Sequence, residues 1–437
     1  MKLNLAVSIA MLTVANCTSP AAAQDRLFVD IKEGVMAPLA IGIPAIASDI
    51  QVEAGTDGDI GPTLASIIRA DLATSSFFRV VDAPSAAFTD DKSLLSAFSA
   101  KGAQALVIGR PTRAAEGMLV YSCALYDVFS GTIETAREFR VSQRQWRRAA
   151  HKCADLVFAH ATGYSGHFDT RFVLVSSGAA AGETATRLIA VDVDGASPAE
   201  LLNNGELVAM PQFSPDNRSA LFVAYQSDMP RIVLFDLESG RRTLLQLPAG
   251  LPSAARFSPD GSRAVLALSQ DGNTDLYEYE FAVGRSRRLT DMTGIDTSPS
   301  YSPDGKSIVF ESDRSGQPQL YVMRLDGSDQ RRISFGREHG SPAWSPDGSL
   351  IAFVTRTSEG QQIGVMAPDG SKRRILTEGG HDEDPSWAPS GRAVSFQRLN
   401  QNSSPPEIWI TDVAGRVQYR IALPLAGSEP HWSETLP

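Results

Sequence analysis

Histidine and cysteine are scarce in this chain of 437 residues, six of the first and three of the second. Chemistry built on them is correspondingly hard to find: there is no His-Glu-x-x-His, no P-loop and no Gly-x-Ser-x-Gly nucleophile elbow. Positive charge is also short, with 40 Lys and Arg against 50 Asp and Glu and a formal charge of −10. Phosphate backbones are held by clustered Lys and Arg, so nucleic acid is excluded as an expected partner. Past the N-terminus no segment is apolar enough to span a membrane. What is present, 43% hydrophobic and 21% charged, is the composition of an ordinary globular protein, and the length calls for two domains rather than one core.

The N-terminus reads as an export signal. Lys2 is basic, Leu3 to Ala15 form an apolar stretch too short to cross a bilayer comfortably, and Ala21-Ala22-Ala23 supply the small residues of a cleavage site. A signal peptide is expected over residues 1–23, with the mature chain starting at Gln24 and entering an oxidising compartment. Asn16 is the wrong residue in front of a lipidated cysteine, which argues against Cys17 as an anchor. Cys123 and Cys153 then remain. That compartment permits a disulfide between them, which adds about 3–4 kcal/mol in the chain-entropy model; two separate buried thiols are the alternative.

A repeat decides the fold class. Phe213-Ser-Pro-Asp-Asn, Phe257-Ser-Pro-Asp-Gly, Tyr301-Ser-Pro-Asp-Gly and Trp344-Ser-Pro-Asp-Gly are followed by a degraded copy at Trp387-Ala-Pro-Ser-Gly and a fragment at Trp432-Ser433. Aromatic to aromatic, the intervals are 44, 44, 43, 43 and 45 residues. Each unit reads as four short strands with the Pro-Asp-Gly turn after the first, because Pro fixes φ, Asp caps locally and Gly accepts positive φ. Four strands per repeat make a propeller blade. The last unit keeps only its first strand, while Arg171–Val175, Arg187–Asp192 and Ala199–Leu202 supply three strands upstream. The C-terminal strand is therefore expected to close the ring as the inner strand of a sixth blade, removing free sheet edges.

Residues 24–164 lack the repeat and read as a small α/β domain in front of the all-β six-bladed propeller of residues 165–437. Strands are expected over Arg26–Ile31, Leu39–Ile43, Phe78–Val81 and Ala105–Ile108, and a hairpin from Leu119–Tyr126 and Thr132–Val141. Helices are expected over Ile60–Leu72, capped by Asp59, between Asp90 and Phe98, and over Arg144–Ala161.

No catalytic constellation emerges, and no metal or cofactor is expected. A propeller-capped peptidase needs an α/β-hydrolase domain as well, and none is expected here. His381-Asp382-Glu383-Asp384 is the densest set of ligand-type residues and reads as a solvated loop at a blade rim. The Asp-Gly turns lack the alternating acids of a calcium loop. What is left is a surface: the residues leading into each first strand should ring one mouth of the central channel. They are Ala209-Met210-Pro211, Pro252-Ser253-Ala254, Thr297-Ser298-Pro299, Gly340-Ser341-Pro342, Glu383-Asp384-Pro385 and Ser428-Glu429-Pro430.

With its export signal, α/β domain, split propeller and Trp-Ser-Pro-Asp-Gly phrases, the chain resembles the TolB family of periplasmic Tol-Pal components. Arg147-Arg148, His151, Asp155-Leu-Val-Phe158, Thr162-Gly163, Gly166 and Phe168-Asp-Thr-Arg171 resemble that family's domain junction. The resemblance implies a non-enzymatic, monomeric protein, peripheral to membranes through its partners. It would link the peptidoglycan-associated lipoprotein Pal to the inner-membrane protein TolA, supporting outer-membrane integrity and cell division. It also implies a Pal surface at the mouth, on Met210, Ser253, Ala254, Thr297, Ser298, Ser341, Glu383, Asp384 and Glu429. The TolA segment would be Gln24, Asp25, Arg26, Leu27, Phe28, Val29 and Asp30. The rival readings are a propeller that holds a small ligand or metal on Glu383, Asp384 and Glu429, a hydrolase accessory domain, and a plain scaffold.

Overall fold

The computed structural model describes residues 31–32, 35–48, 50, 59–82, 90–177, 186–227, 229–399 and 405–437. The expected signal peptide, and the segment from Gln24 to Asp30 with most of its expected strand, lie outside these residues.

The first part is a mixed sheet covered by helices. A short hairpin pairs β1 (Ile31–Lys32) with β2 (Val35–Met36). Five strands follow: β3 (Leu39–Gly42), β4 (Phe78–Val81), β5 (Ala105–Arg113), β6 (Met118–Asp127) and β7 (Ile133–Ser142). Their order is β4-β3-β5-β6-β7, with β3 parallel to both neighbours and the rest antiparallel. Helix α1 (Ile60–Ala73) starts where the Asp59 carboxylate accepts from the Gly61 N–H at 2.9 Å. Its Leu64, Ile67, Ile68 and Leu72 recur at helical spacing and are buried in the same core as α3 (Arg147–Thr162). Helix α2 (Asp91–Ala100) is capped by Asp90, which accepts from Ser93 at 2.7 Å. A 3₁₀ turn over Gln143–Gln145 precedes α3, so the helix begins later than its periodicity suggested. Cys123 on β6 and Cys153 on α3 are joined in a disulfide with a Cα–Cα distance of 5.8 Å.

From Arg171 onward the chain is a β-propeller. Blades one to three are separate four-stranded sheets whose inner strands are Leu207–Phe213, Leu251–Phe257 and Asp296–Tyr301. The closing sheet has the order Ala199–Leu202, Thr186–Asp192, Arg171–Ser177, Ser428–Trp432. Its inner strand thus comes from the C-terminus, in register Ser428↔Val175, His431↔Val173 and Trp432↔Phe172. The other eight strands form one sheet, joined by a short parallel pairing at Gly360↔Gly380 and Gln361↔His381. Divided at that joint it gives blades four and five, with inner strands His339–Trp344 and Gly380–Trp387, and the closing sheet is blade six.

In the repeated phrase the serine is the hub, which its mere recurrence did not reveal. Ser258 Oγ accepts from the Arg263 N–H at 2.9 Å and donates to Asp260 at 2.6 Å. Ser302 and Ser345 repeat both bonds. Glycine is needed at the turn because φ there is +70°, +68° and +73° in Gly261, Gly305 and Gly348. The α/β part rests on the blade ends that carry these turns. Ser76 donates to Asp412 at 2.7 Å, and the Arg392 guanidinium lies 3.9 Å from the Tyr164 ring centre. Trp432 donates through Nε1 to Thr170 at 2.8 Å, so ring closure and junction share one side chain.

Candidate functional site: the channel mouth

At the opposite ends of the blades each inner strand breaks its ladder with a bulge. The register shifts fall at Ala209/Gln212, Ser253/Arg256, Thr297/Ser300, Gly340/Ala343, Glu383/Ser386 and Ser428/His431. One residue in each bulge is left-handed: Met210, Ala254, Ser298, Ser341, Asp384 and Glu429 have φ of 54, 52, 49, 46, 53 and 53°. None is glycine, so each carries strain of about 1–3 kcal/mol that the surrounding sheet must hold. These same six side chains line a cavity at the channel entrance, together with the prolines that follow three of them. Ser253, Thr297 and Glu383 sit one position earlier, paired in the ladder to Ala267, Glu311 and Gln397, and do not line it.

The bulges are stitched to one another. Met210 donates its N–H to the Glu429 carboxylate, and the Ala254 N–H lies 3.3 Å from the Met210 sulfur. Glu429 donates its own N–H to Gln397 Oε1 at 3.1 Å, and Ser341 donates to Glu311 at 3.0 Å. Below them a second ring comes from the residue preceding each aromatic: Gln212, Arg256, Ser300, Ala343, Ser386 and His431. Three of these bolt blade to blade. Ser300 accepts from Trp344 N–H at 3.1 Å, Ser386 from Trp432 at 3.0 Å, and His431 Nδ1 from Phe213 at 3.2 Å. Sequence reasoning passed over this ring, although aligning the repeats on the aromatic picks it out directly.

Electrostatically the mouth is acidic, with one embedded cation. Burial, then Glu383, pushes Asp384 up to about 6 against the pull of Arg256. Burial pushes Glu429 up to about 7, against the Met210 N–H it accepts and against Arg256. Both carboxylates are half-buried. His431 is neutral, its pKa driven down to about 3 by burial and by Arg256. Arg256 forms no ion pair among the described residues; the Gln212 amide, oxygen inward, accepts from its Nε at 2.8 Å.

Two clusters of ligand-type residues prove structural. The stretch His381–Asp384 is not a solvated loop but part of the inner strand Gly380–Trp387, with Asp382 fully buried and held by Arg398 at 2.6 and 2.8 Å. At the junction His151, Asp192 and Asp194 bring ligand atoms within 4.8 Å of one another. Arg147 already pairs with Asp194, and His151 is protonated: burial opposes its charge, but Asp71 at 2.8 Å outweighs that and raises it to about 9. With Arg147 on Asp194, Arg171 on Asp192 and Asp71 on His151, these residues form an ion-pair network between α1, α3 and the propeller. The neighbouring junction residues have equally mechanical roles. Asp155 accepts from the N–H groups of Phe168 and Asp169 at 2.7 and 3.0 Å, and a Cβ on Gly166 would meet its carboxylate at 2.1 Å.

An α/β domain seated on one face of a propeller, with a strained ring at the mouth of the other face, defines the class of protein. Residues 158–436 match the TolB beta propeller domain and residues 27–133 the TolB amino-terminal domain. The chain belongs to the TolB family. It is 36% identical over 243 residues to the Tol-Pal system protein TolB of Paramagnetospirillum magneticum, a stretch covering 54% of this chain and 53% of that protein. With the Zymomonas mobilis protein of the same name it shares 40% over 225 residues, 50% of this chain and 49% of that one. The matched stretch thus spans about half the length of these curated relatives. The crystal structure of TolB from Acinetobacter baumannii aligns over 91% of this chain and 97% of its own, with a TM-score of 0.80 at 27% identity.

Proposed function

We propose that this chain is a periplasmic, non-enzymatic component of a Tol-Pal system whose propeller mouth docks the lipoprotein Pal. In this reading the segment Gln24–Asp30 engages TolA, the protein is monomeric, and it serves outer-membrane integrity and cell division. The family membership supports a Tol-Pal envelope role. The observation that carries the docking reading is the ring of Met210, Ala254, Ser298, Ser341, Asp384 and Glu429, strained and facing away from the α/β part. Strain of this kind collects at binding sites, where a rigid scaffold holds it. Calorimetry with a purified Pal domain tests the mouth, and the same titration with divalent metals tests the rival. Deleting residues 24–30 is expected to abolish binding to a TolA domain while leaving Pal binding intact. Loss of neither interaction on deletion moves the TolA segment elsewhere.

A further inference from the structure

The mouth is not six-fold in chemistry. Three residues before each left-handed position stand Leu207, Leu251 and Ile295 on blades one to three, but Glu338, His381 and Ala426 at the same step of the other three inner-strand approaches. The three aliphatic side chains are 42, 48 and 50% exposed. They have company: Met210 beside them is exposed, as are Met292 and Phe335 in the connections that cross this face from an outer strand to the next inner one. Of the fifteen large apolar side chains exposed among the described residues, eight lie at this end of blades one to three and their connections. Single exposed apolar residues need no explanation, but an arc of them on one face marks a contact surface. The other side of the entrance carries Asp384 and Glu429, with Arg256 the only cation lining the cavity.

We infer that the mouth reads its partner in two halves: an apolar ridge of the partner lies on the Leu207–Leu251–Ile295 arc, and a basic side chain of the same partner faces blades five and six. This rests on the docking reading above and adds the orientation and chemistry of what docks. Apolar burial at the arc supplies the hold, because it desolvates without charge. The acids select the register, since a partner turned by half a revolution would set its cation on leucine and its apolar ridge on carboxylates.

The test uses the full mature chain and a purified Pal domain. The Leu251→Ser, Ile295→Ser double variant changes only exposed positions, so its melting should match the parent. Its Kd should rise about tenfold or more through faster dissociation, equally at low and high salt. Val283→Ser, an exposed apolar residue in the turn between the third and fourth strands of blade two, is the control and should bind as the parent does. A double variant that binds Pal with the parental Kd overturns the two-half mouth while leaving docking in place. A parent chain that fails to bind Pal at all removes both.

Discussion

His151 sits where the α/β part meets the propeller, 2% exposed, with Asp71 on Nδ1 and Asp194 3.9 Å from Nε2. Its raised pKa is a statement about stability. The folded value of about 9 lies above the ordinary 6.5, so the proton stabilises the fold fully below pH 6.5 and the contribution fades as pH climbs through 9. Burial pushes Asp71 upward against the pull of His151, so removing the imidazolium strands a buried carboxyl. His151→Ala should cost about 3–5 kcal/mol in urea unfolding. The pH part is isolated by comparison with the Asp71→Asn, His151→Gln double variant, which lacks both charges. Other raised acids, Asp155, Glu311, Asp384, Glu429 and Glu434, also lose stability with rising pH, but they are common to both proteins and cancel. The stability gap between the two should narrow from pH 6.5 to 9, and a constant gap contradicts the protonated bridge. His151 stood out in the sequence only as part of a junction signature. Its partner lies 80 residues away, and no local pattern encodes that contact.

Strands and turns were far more legible than bulges. A period of 43 to 45 residues and an alternation within each unit reveal the blades because both are properties of contiguous sequence. The left-handed residue in each inner strand leaves little such trace, since Met, Ala, Ser and Glu are not residues chosen for positive φ and only Asp384 is of a type enriched there. The fourth strand of blade three is only Arg331–Arg332, as outer strands have one neighbour to hold them. Closure by the C-terminal strand is the element on which the propeller depends most. Trp432 is buried against Phe172 and His167 and bonded to Thr170, and Ser433 accepts from the Arg171 N–H at 2.9 Å. Removing residues from Glu429 onward strips blade six of its inner strand and exposes the backbone groups of Arg171–Ser177. Aggregation or a large drop in Tm is expected by size exclusion and calorimetry. A truncated chain that melts with the parent would show that the ring does not close this way.

Across the whole molecule the two faces of the propeller are divided. One face is committed to the α/β part through Ser76, Tyr164, Arg147 and Trp432; the other presents the mouth. The position of that mouth was legible from the repeat, as every Met210-type residue precedes its blade's aromatic by three. Its chemistry was not, because the half-buried state of Asp384 and Glu429 and the presence of Arg256 beneath them follow from packing around the ring. The most direct measurement is the association rate of a Pal domain, taken across a salt series at pH 8, above the raised values of both acids. The parent is compared with the Asp384→Asn, Glu429→Gln variant, which keeps shape and hydrogen-bond acceptors while losing charge. If Pal docks at this mouth with its cation toward blades five and six, the variant associates about tenfold more slowly at low salt, and its rate loses most of its salt dependence. Identical rates for the two proteins at every salt concentration would contradict docking at this mouth.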